Sequence, residues 1–219
     1  MPGRTSNFSI STYTNVRTFP QNLWDTLRAH SGRSNVILSH AEKALTTCEP
    51  PIRKECWITC SAFDSSETID FILSCTDNSM GSYPIFLFST RHASELSEEY
   101  LLPRLSPLVR ALYSAVDVSR VFSIFAPEPV TQMFTYLWME YTGVRFVREP
   151  YYAATFTVCT KRTHIDRSMS VHPSLKYNIR PATESDIENV AELCYGFALG
   201  SASYLCLFVM WIIILIMNF

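Results

Sequence analysis

Apolar positions fall three and four residues apart over residues 22–30 and 35–47, in the second stretch at Val36, Ile37, Ala41 and Ala44 with His40 among them. This spacing predicts two short helices, the second stopped by Pro50 and Pro51. The period then changes to two. Residues 56–63, 68–75 and 84–89 read as strands, and in the middle one Ile69, Phe71, Leu73 and Cys75 alternate with Asp70 and Ser74. Asp64-Ser65-Ser66 and residues 77–82, which include Gly81, supply the turns. Residues 94–116 read as a helix with Glu95, Glu98 and Glu99 at its start, and Pro103 and Pro107 predict a kink or a split in it. A short apolar strand at 120–126, a helix at 128–141 ending at Gly143, and a β-branched and aromatic strand at 151–160 complete the order α, α, β, β, β, α, β, α, β. The expected fold class is α/β, in an α+β arrangement. An antiparallel meander and a crossover would form one mixed sheet flanked by helices, burying Ile58, Phe71, Leu73, Phe86, Phe88, Phe122 and Ile124.

Residues 161–176 carry five basic residues or histidines before Pro173 and no apolar periodicity, so they read as an exposed linker. A second unit starts beyond it. Residues 177–181 form a short extended piece, and Thr183-Glu184-Ser185-Asp186 sets a hydroxyl at an N-cap with a carboxylate three residues later, a variant of the capping box. In the helix that follows, Ile187, Val190, Ala191, Cys194, Phe197 and Ala198 share one face, with Glu188, Asn189 and Glu192 on the other.

The chain of 219 residues is 47% hydrophobic and 17% charged, enough apolar material for one large core and too little charge for a disordered chain. Its formal net charge of −2 supplies no basic surface for a phosphate backbone, so nucleic acid is not expected as a partner. The cysteines at 48, 56, 60, 75, 159, 194 and 206 form no CxxC pair, and their odd number leaves no complete disulfide framework. They read as reduced thiols of a cytoplasmic protein. Residues 1–19, rich in Ser, Thr and Asn and interrupted by Arg4 and Arg17, lack the apolar core of a secretory signal.

The stretch Asn178-Ile179-Arg180-Pro181-Ala182-Thr183-Glu184-Ser185-Asp186-Ile187 resembles the opening strand and first helix of the GNAT superfamily of acyl-CoA-dependent N-acetyltransferases. The element order of residues 22–160 is also similar to a GNAT domain read from its first helices through its central crossover strands. Together they resemble the tandem arrangement of glycine N-acyltransferases, a degenerate first copy before a catalytic second. The resemblance divides the chain into a degenerate GNAT-like domain at 20–160, the linker at 161–176, the start of a catalytic domain at 177–198 and an apolar tail at 199–219. It implies acetyl-CoA as cofactor, a small-molecule amine as acyl acceptor, and N-acyltransferase activity in the complete enzyme.

Enzymes of this family hold the cofactor pyrophosphate on backbone N–H groups of a Gly-rich loop at a helix N-terminus, where unpaired amides and the helix dipole favour anions. The corresponding place here is Thr90-Arg91-His92-Ala93-Ser94-Glu95-Leu96-Ser97, and no glycine occurs from 82 to 142. Arg91 offers a cation, but Glu95, Glu98 and Glu99 put negative charge where phosphates would sit. The first copy is therefore expected not to bind CoA, and the chain to lack the catalytic half. No cofactor-binding or metal-ligating residue is assigned, and the catalytic residues are unknown.

No GxSxG, GxxxxGK[ST], GxGxxG or HExxH pattern is present. The histidines at 30, 40, 92, 164 and 172 are scattered, and a cryptic enzyme built on His92 or His164 has no partner groups to support it. His40 reads as a partly buried helix residue. Cys56 and Cys60 share a strand face and read as core, as does the helical stripe Met133, Phe134, Leu137, Trp138 and Tyr141.

From Leu193 onward no side chain is charged. Residues 197–219 would span ~34 Å as a helix, long enough for a ~30 Å bilayer core, while the densest apolar run, 204–217, would reach only ~21 Å. No Lys or Arg flanks the run, and Gly196 and Gly200 stand at GxxxG spacing. A C-terminal membrane anchor is thus an expectation. With it comes an alternative function, a non-catalytic membrane-anchored or interaction protein.

Overall fold

β1 (Phe8–Tyr13) opens the fold, within a Ser/Thr-rich stretch that shows no apolar run. Its alternation is enough to seat it: Phe8 and Ile10 turn toward one side of the sheet and Tyr13 toward the other. The computed structural model describes residues 8–46, 55–63, 67–78, 81–147, 149–150, 153 and 180–200. The chain divides into two units, Met1–Arg148 and Glu149–Phe219. The strand expected at 151–160, the linker and the tail beyond Gly200 lie outside the described residues, apart from Ala153.

In the first unit, α1 (Gln21–Ala29) and α2 (Asn35–Thr46) follow β1. Their junction is closed by Ser34, whose buried hydroxyl donates to the carbonyls of Leu27 at 2.7 Å and His30 at 3.1 Å, two of the acceptors that the end of α1 leaves open. Next come β2 (Cys56–Phe63), β3 (Glu67–Cys75), a two-residue hairpin of β4 (Asp77–Asn78) and β5 (Gly81–Ser82), and β6 (Ile85–Ser89). α3 (Glu98–Ala115) then crosses to β7 (Ile124–Phe125), and α4 (Glu128–Thr142) closes the unit.

The main sheet has the order β1-β2-β3-β6-β7, antiparallel except for the β6–β7 pair, which α3 makes parallel. Both faces are covered. On one, Cys56, Ile58, Cys60, Phe71, Leu73, Ile85 and Leu87 meet α3 and α4; on the other, Trp57, Ile69, Ile72 and Phe88 meet α1 and α2. The expected one-sided alternation of residues 68–75 is therefore absent, and β2 and β3 are buried along nearly their whole length.

The expected split at Pro103 and Pro107 does not occur, and α3 runs through both. Pro103 is exposed and Pro107 half-buried, so the carbonyls one turn back that lose an N–H partner face water. The opposite face buries Leu101, Leu105, Leu108, Val109 and Leu112. At ~1.5–3 kcal/mol per buried side chain, this stripe outweighs the ~3 kcal/mol that each interior proline costs.

The strand expected over 120–126 shrinks to Ile124–Phe125. Residues 118–120 form a 3-10 turn because the Arg120 guanidinium is drawn inward to the carbonyls of Thr76 at 2.7 Å and Tyr83 at 3.0 Å. Of the residues expected to be buried, Ile58, Phe71, Leu73 and Phe88 are; Phe86 and Ile124 are half-buried; and Phe122 is exposed, displaced by that turn. α4 ends as expected at Gly143, whose φ of 74° is left-handed and whose N–H bonds Met139 O at 2.8 Å.

Candidate functional site

The place where a cofactor-binding loop is expected lies between β6 and α3. Thr90 N–H donates to Asp70 O at 3.1 Å, continuing the sheet by one bond. Arg33, from the α1–α2 junction, donates to the carbonyls of Thr90 and Arg91, each at 3.0 Å. Two carbonyls and a guanidinium are thus satisfied by each other. His92 caps the 3-10 turn Ala93–Glu95 by accepting from Ser94 N–H through Nδ1 at 3.4 Å, and Leu96 is buried behind it. His92 is exposed and its ring serves this turn, which is no setting for a catalytic base.

At the start of α3, where unpaired amides would meet phosphate, the chain supplies its own anion. The carboxyl of Glu99 is held below the usual carboxylate range, first by the backbone N–H of Glu99 itself and then by the Ser97 hydroxyl. Arg91, the one cation foreseen for this loop, reaches Glu95 at 3.4 Å and lies 5.9 Å from the Tyr100 ring. An exposed pair of this kind adds little stability, but it occupies the charge.

Beneath the loop lies an arrangement that alternation conceals. The β2–β3 register shifts between Cys60 and Ser61, so that Cys60 pairs with Phe71 but Ser61 with Ile69. Asp70 is the residue left over. Such a bulge re-aims a side chain, and here the Asp70 carboxylate meets Arg104 of α3, on the face where Phe71 also points. The Arg104 Nε donates to Asp70 Oδ2 at 2.7 Å and its Nη1 to Tyr100 O at 2.9 Å, while the guanidinium lies 4.4 Å from the Phe8 ring and 3.7 Å from the Tyr100 ring. Asp70 is 2% exposed and Arg104 15%. Burial, followed by the Asp70 charge, pushes the Tyr100 hydroxyl up to about 12 and the Cys60 thiol up to about 12. Neither is a nucleophile near neutral pH.

At the far end of α3 an open cleft of about 630 Å³ is lined by Asp77, Tyr113, Asp117, Ser119 and Arg120 among others. The cation in its lining is already engaged, because half-buried Arg120 pairs with Asp77 at 3.1 Å in addition to its two carbonyl bonds. His40 is half-buried on α2, its ring stacked 4.5 Å from that of Tyr83, and burial followed by the Lys43 charge lowers its pKa. His30 shifts the same way, through burial and then Arg33. His164 and His172 lie outside the described residues. Cys56 and Cys60 are core, and so is the α4 stripe, with Phe134, Leu137 and Trp138 buried and Met133 and Tyr141 packed at its margin. Among the described residues no group of three or more His, Cys, Asp or Glu could hold a metal ion.

In the second unit, the Asp186 carboxylate accepts from Arg180 at 2.7 Å on each oxygen and from Thr183 N–H at 2.8 Å, completing the foreseen capping box at the head of α5 (Ile187–Gly200). Its pKa falls far below the usual range, chiefly through Arg180. The helix leaves Ile187, Val190, Leu193 and Tyr195 exposed. Among the described residues no helix is long and apolar enough to cross a membrane.

Asp70, Arg104 and Arg120 are the charged groups that organise the first unit, and sequence reasoning named none of them as such. Alternation places Asp70 on the polar side of its strand; Arg104 sits in Leu101-Leu102-Pro103-Arg104-Leu105-Ser106-Pro107 without any local signal. Compared with protein-family models, with curated proteins and with solved structures, the chain finds no match in any of the three.

Proposed function

We propose that residues 8–147 form a non-catalytic GNAT-like module of an N-acyltransferase-type chain, a module that has kept the sheet and lost the cofactor cradle. The element order supports the reading. Two helices, three antiparallel strands, a crossover helix and a parallel strand stand in the sequence expected from the resemblance. The observation that carries it is the hold of Arg33 on the carbonyls of Thr90 and Arg91, in a loop without glycine that runs into Glu95, Glu98 and Glu99. The residues present therefore do not fit acetyl-CoA: they offer a carboxylate where the cofactor needs open amides. Acetyl transfer belongs on this reading to a catalytic half that would follow residues 177–198. Incubating the chain with acetyl-CoA and a panel of amines, amino acids and polyamines should release no CoA thiol above the rate without protein. Release that saturates with one amine would overturn the assignment.

A second reading, a membrane-attached interaction protein, is favoured by the apolar residues that α5 leaves exposed and by the uncharged sequence from 193 to 219. The 219-residue chain should then sediment with vesicles, or aggregate without detergent, while a chain ending at Lys176 stays in solution. A 219-residue chain that is monomeric without detergent and ignores vesicles would remove this reading.

A further inference from the structure

The β2–β3 register sets Cys56 directly opposite Cys75, at the open end of a hairpin whose other end closes through residues 63–67. Both are thiols, and both sit in the buried cluster beneath α3 and α4. Opposed Cα atoms of an antiparallel pair stand ~4.5 or ~5.5 Å apart, depending on the type of pair. Either separation falls inside the ~4.4–6.8 Å that a disulfide bridges. Cys60 shares the face but lies four residues along β2, ~13 Å from Cys56 at ~3.3 Å per residue, and faces Phe71. Of the three pairings open to these thiols, the backbone permits one.

We propose that Cys56 and Cys75 are a redox-responsive pair, which glutathione disulfide converts into a cross-strand disulfide that clamps the open end of the β2–β3 hairpin. One thiolate attacks glutathione disulfide and expels a glutathione thiolate, which takes up the released proton. The second thiolate then attacks the protein sulfur of the mixed disulfide and expels the second glutathione. Two protein thiols are oxidised and one glutathione disulfide is reduced to two glutathiones, with no other reagent. Burial pushes the Cys75 thiol up to about 11, so the exchange proceeds from conformers in which the strand ends have opened and is slow. The finished bond would fix the strand end that leads directly into Thr76 and Asp77, two of the residues Arg120 holds.

The test is an equilibrium one. The full chain is held in glutathione buffers of graded ratio until composition stops changing, free thiols are alkylated, and linked peptides are identified by mass spectrometry. A Cys56–Cys75 peptide should accumulate, with Cys60 alkylated throughout, and exposed Cys194 reports that the oxidant is active. In the folded chain the Cys56–Cys75 disulfide should be favoured by at least about tenfold over the same pair in urea, because the native register holds the two sulfurs together. The Cys60→Ala chain should behave identically. Equal oxidation of the pair in the folded and unfolded chain would overturn the proposal, as would a dominant linkage through Cys60.

Discussion

Asp70 and Arg104 are the residues on which the first unit leans hardest. A buried ion pair need not raise stability over a well-packed apolar pair, yet removing one partner strands the other charge away from water. Asp70→Ala should therefore cost about 3–5 kcal/mol in urea unfolding, whereas Asp70→Leu with Arg104→Met should recover most of the loss. Equal losses in the single and double variants would show that the pair is not coupled. The pair was illegible in the sequence for a definite reason. Strict alternation puts Asp70 on the side away from Phe71, and only the one-residue slip at Cys60/Ser61 turns it toward α3.

His40 makes the stability of the first unit depend on pH. Its folded pKa lies below the value of ~6.5 expected for the unfolded chain, so the unfolded chain binds more protons below that pH. The corresponding stability is complete above pH ~6.5 and is lost as pH falls toward and through the folded value. The urea midpoint should drop between about pH 7.5 and 5.5, and the drop should be smaller in His40→Phe. His30 adds to the drop, since it shifts in the same direction. A wild-type midpoint that is flat across this window would contradict the assignment.

Among the elements, α1, α2, α4 and the central strands were legible because their apolar content is high and their stop signals strong. α1, α2, β2 and α4 lie within one or two residues of their expected spans, and Gly143 closes α4 as its sequence signal said. What the sequence misjudged were elements decided by tertiary partners. β1 carries too few apolar residues to register until β2 pairs with it through all six residues. α3 holds two prolines that would break an isolated helix, but its buried leucines carry it through. β7 is cut short by one arginine turning inward. Gly143 is the position that tests how α4 ends. A Cβ there meets nothing within 4 Å, so any cost of Gly143→Ala is backbone strain at φ 74° and not a clash. The expected loss is about 1–2 kcal/mol. An unchanged unfolding midpoint would mean that the left-handed turn is not what ends α4.

For the whole molecule, the proposed reading is that the loop between β6 and α3 fills the place of an anion site with its own side chains. Of that reading, the missing glycines between 82 and 142 and the acids at 95, 98 and 99 are visible in the sequence. The rest was not, because the clamp of Arg33 on the carbonyls of Thr90 and Arg91 joins residues nearly sixty positions apart. Isothermal titration of the 219-residue chain with acetyl-CoA is the decisive measurement. No saturable heat is expected, with any dissociation constant weaker than about 1 mM. Saturable binding at micromolar concentration, with one acetyl-CoA per chain, would contradict it.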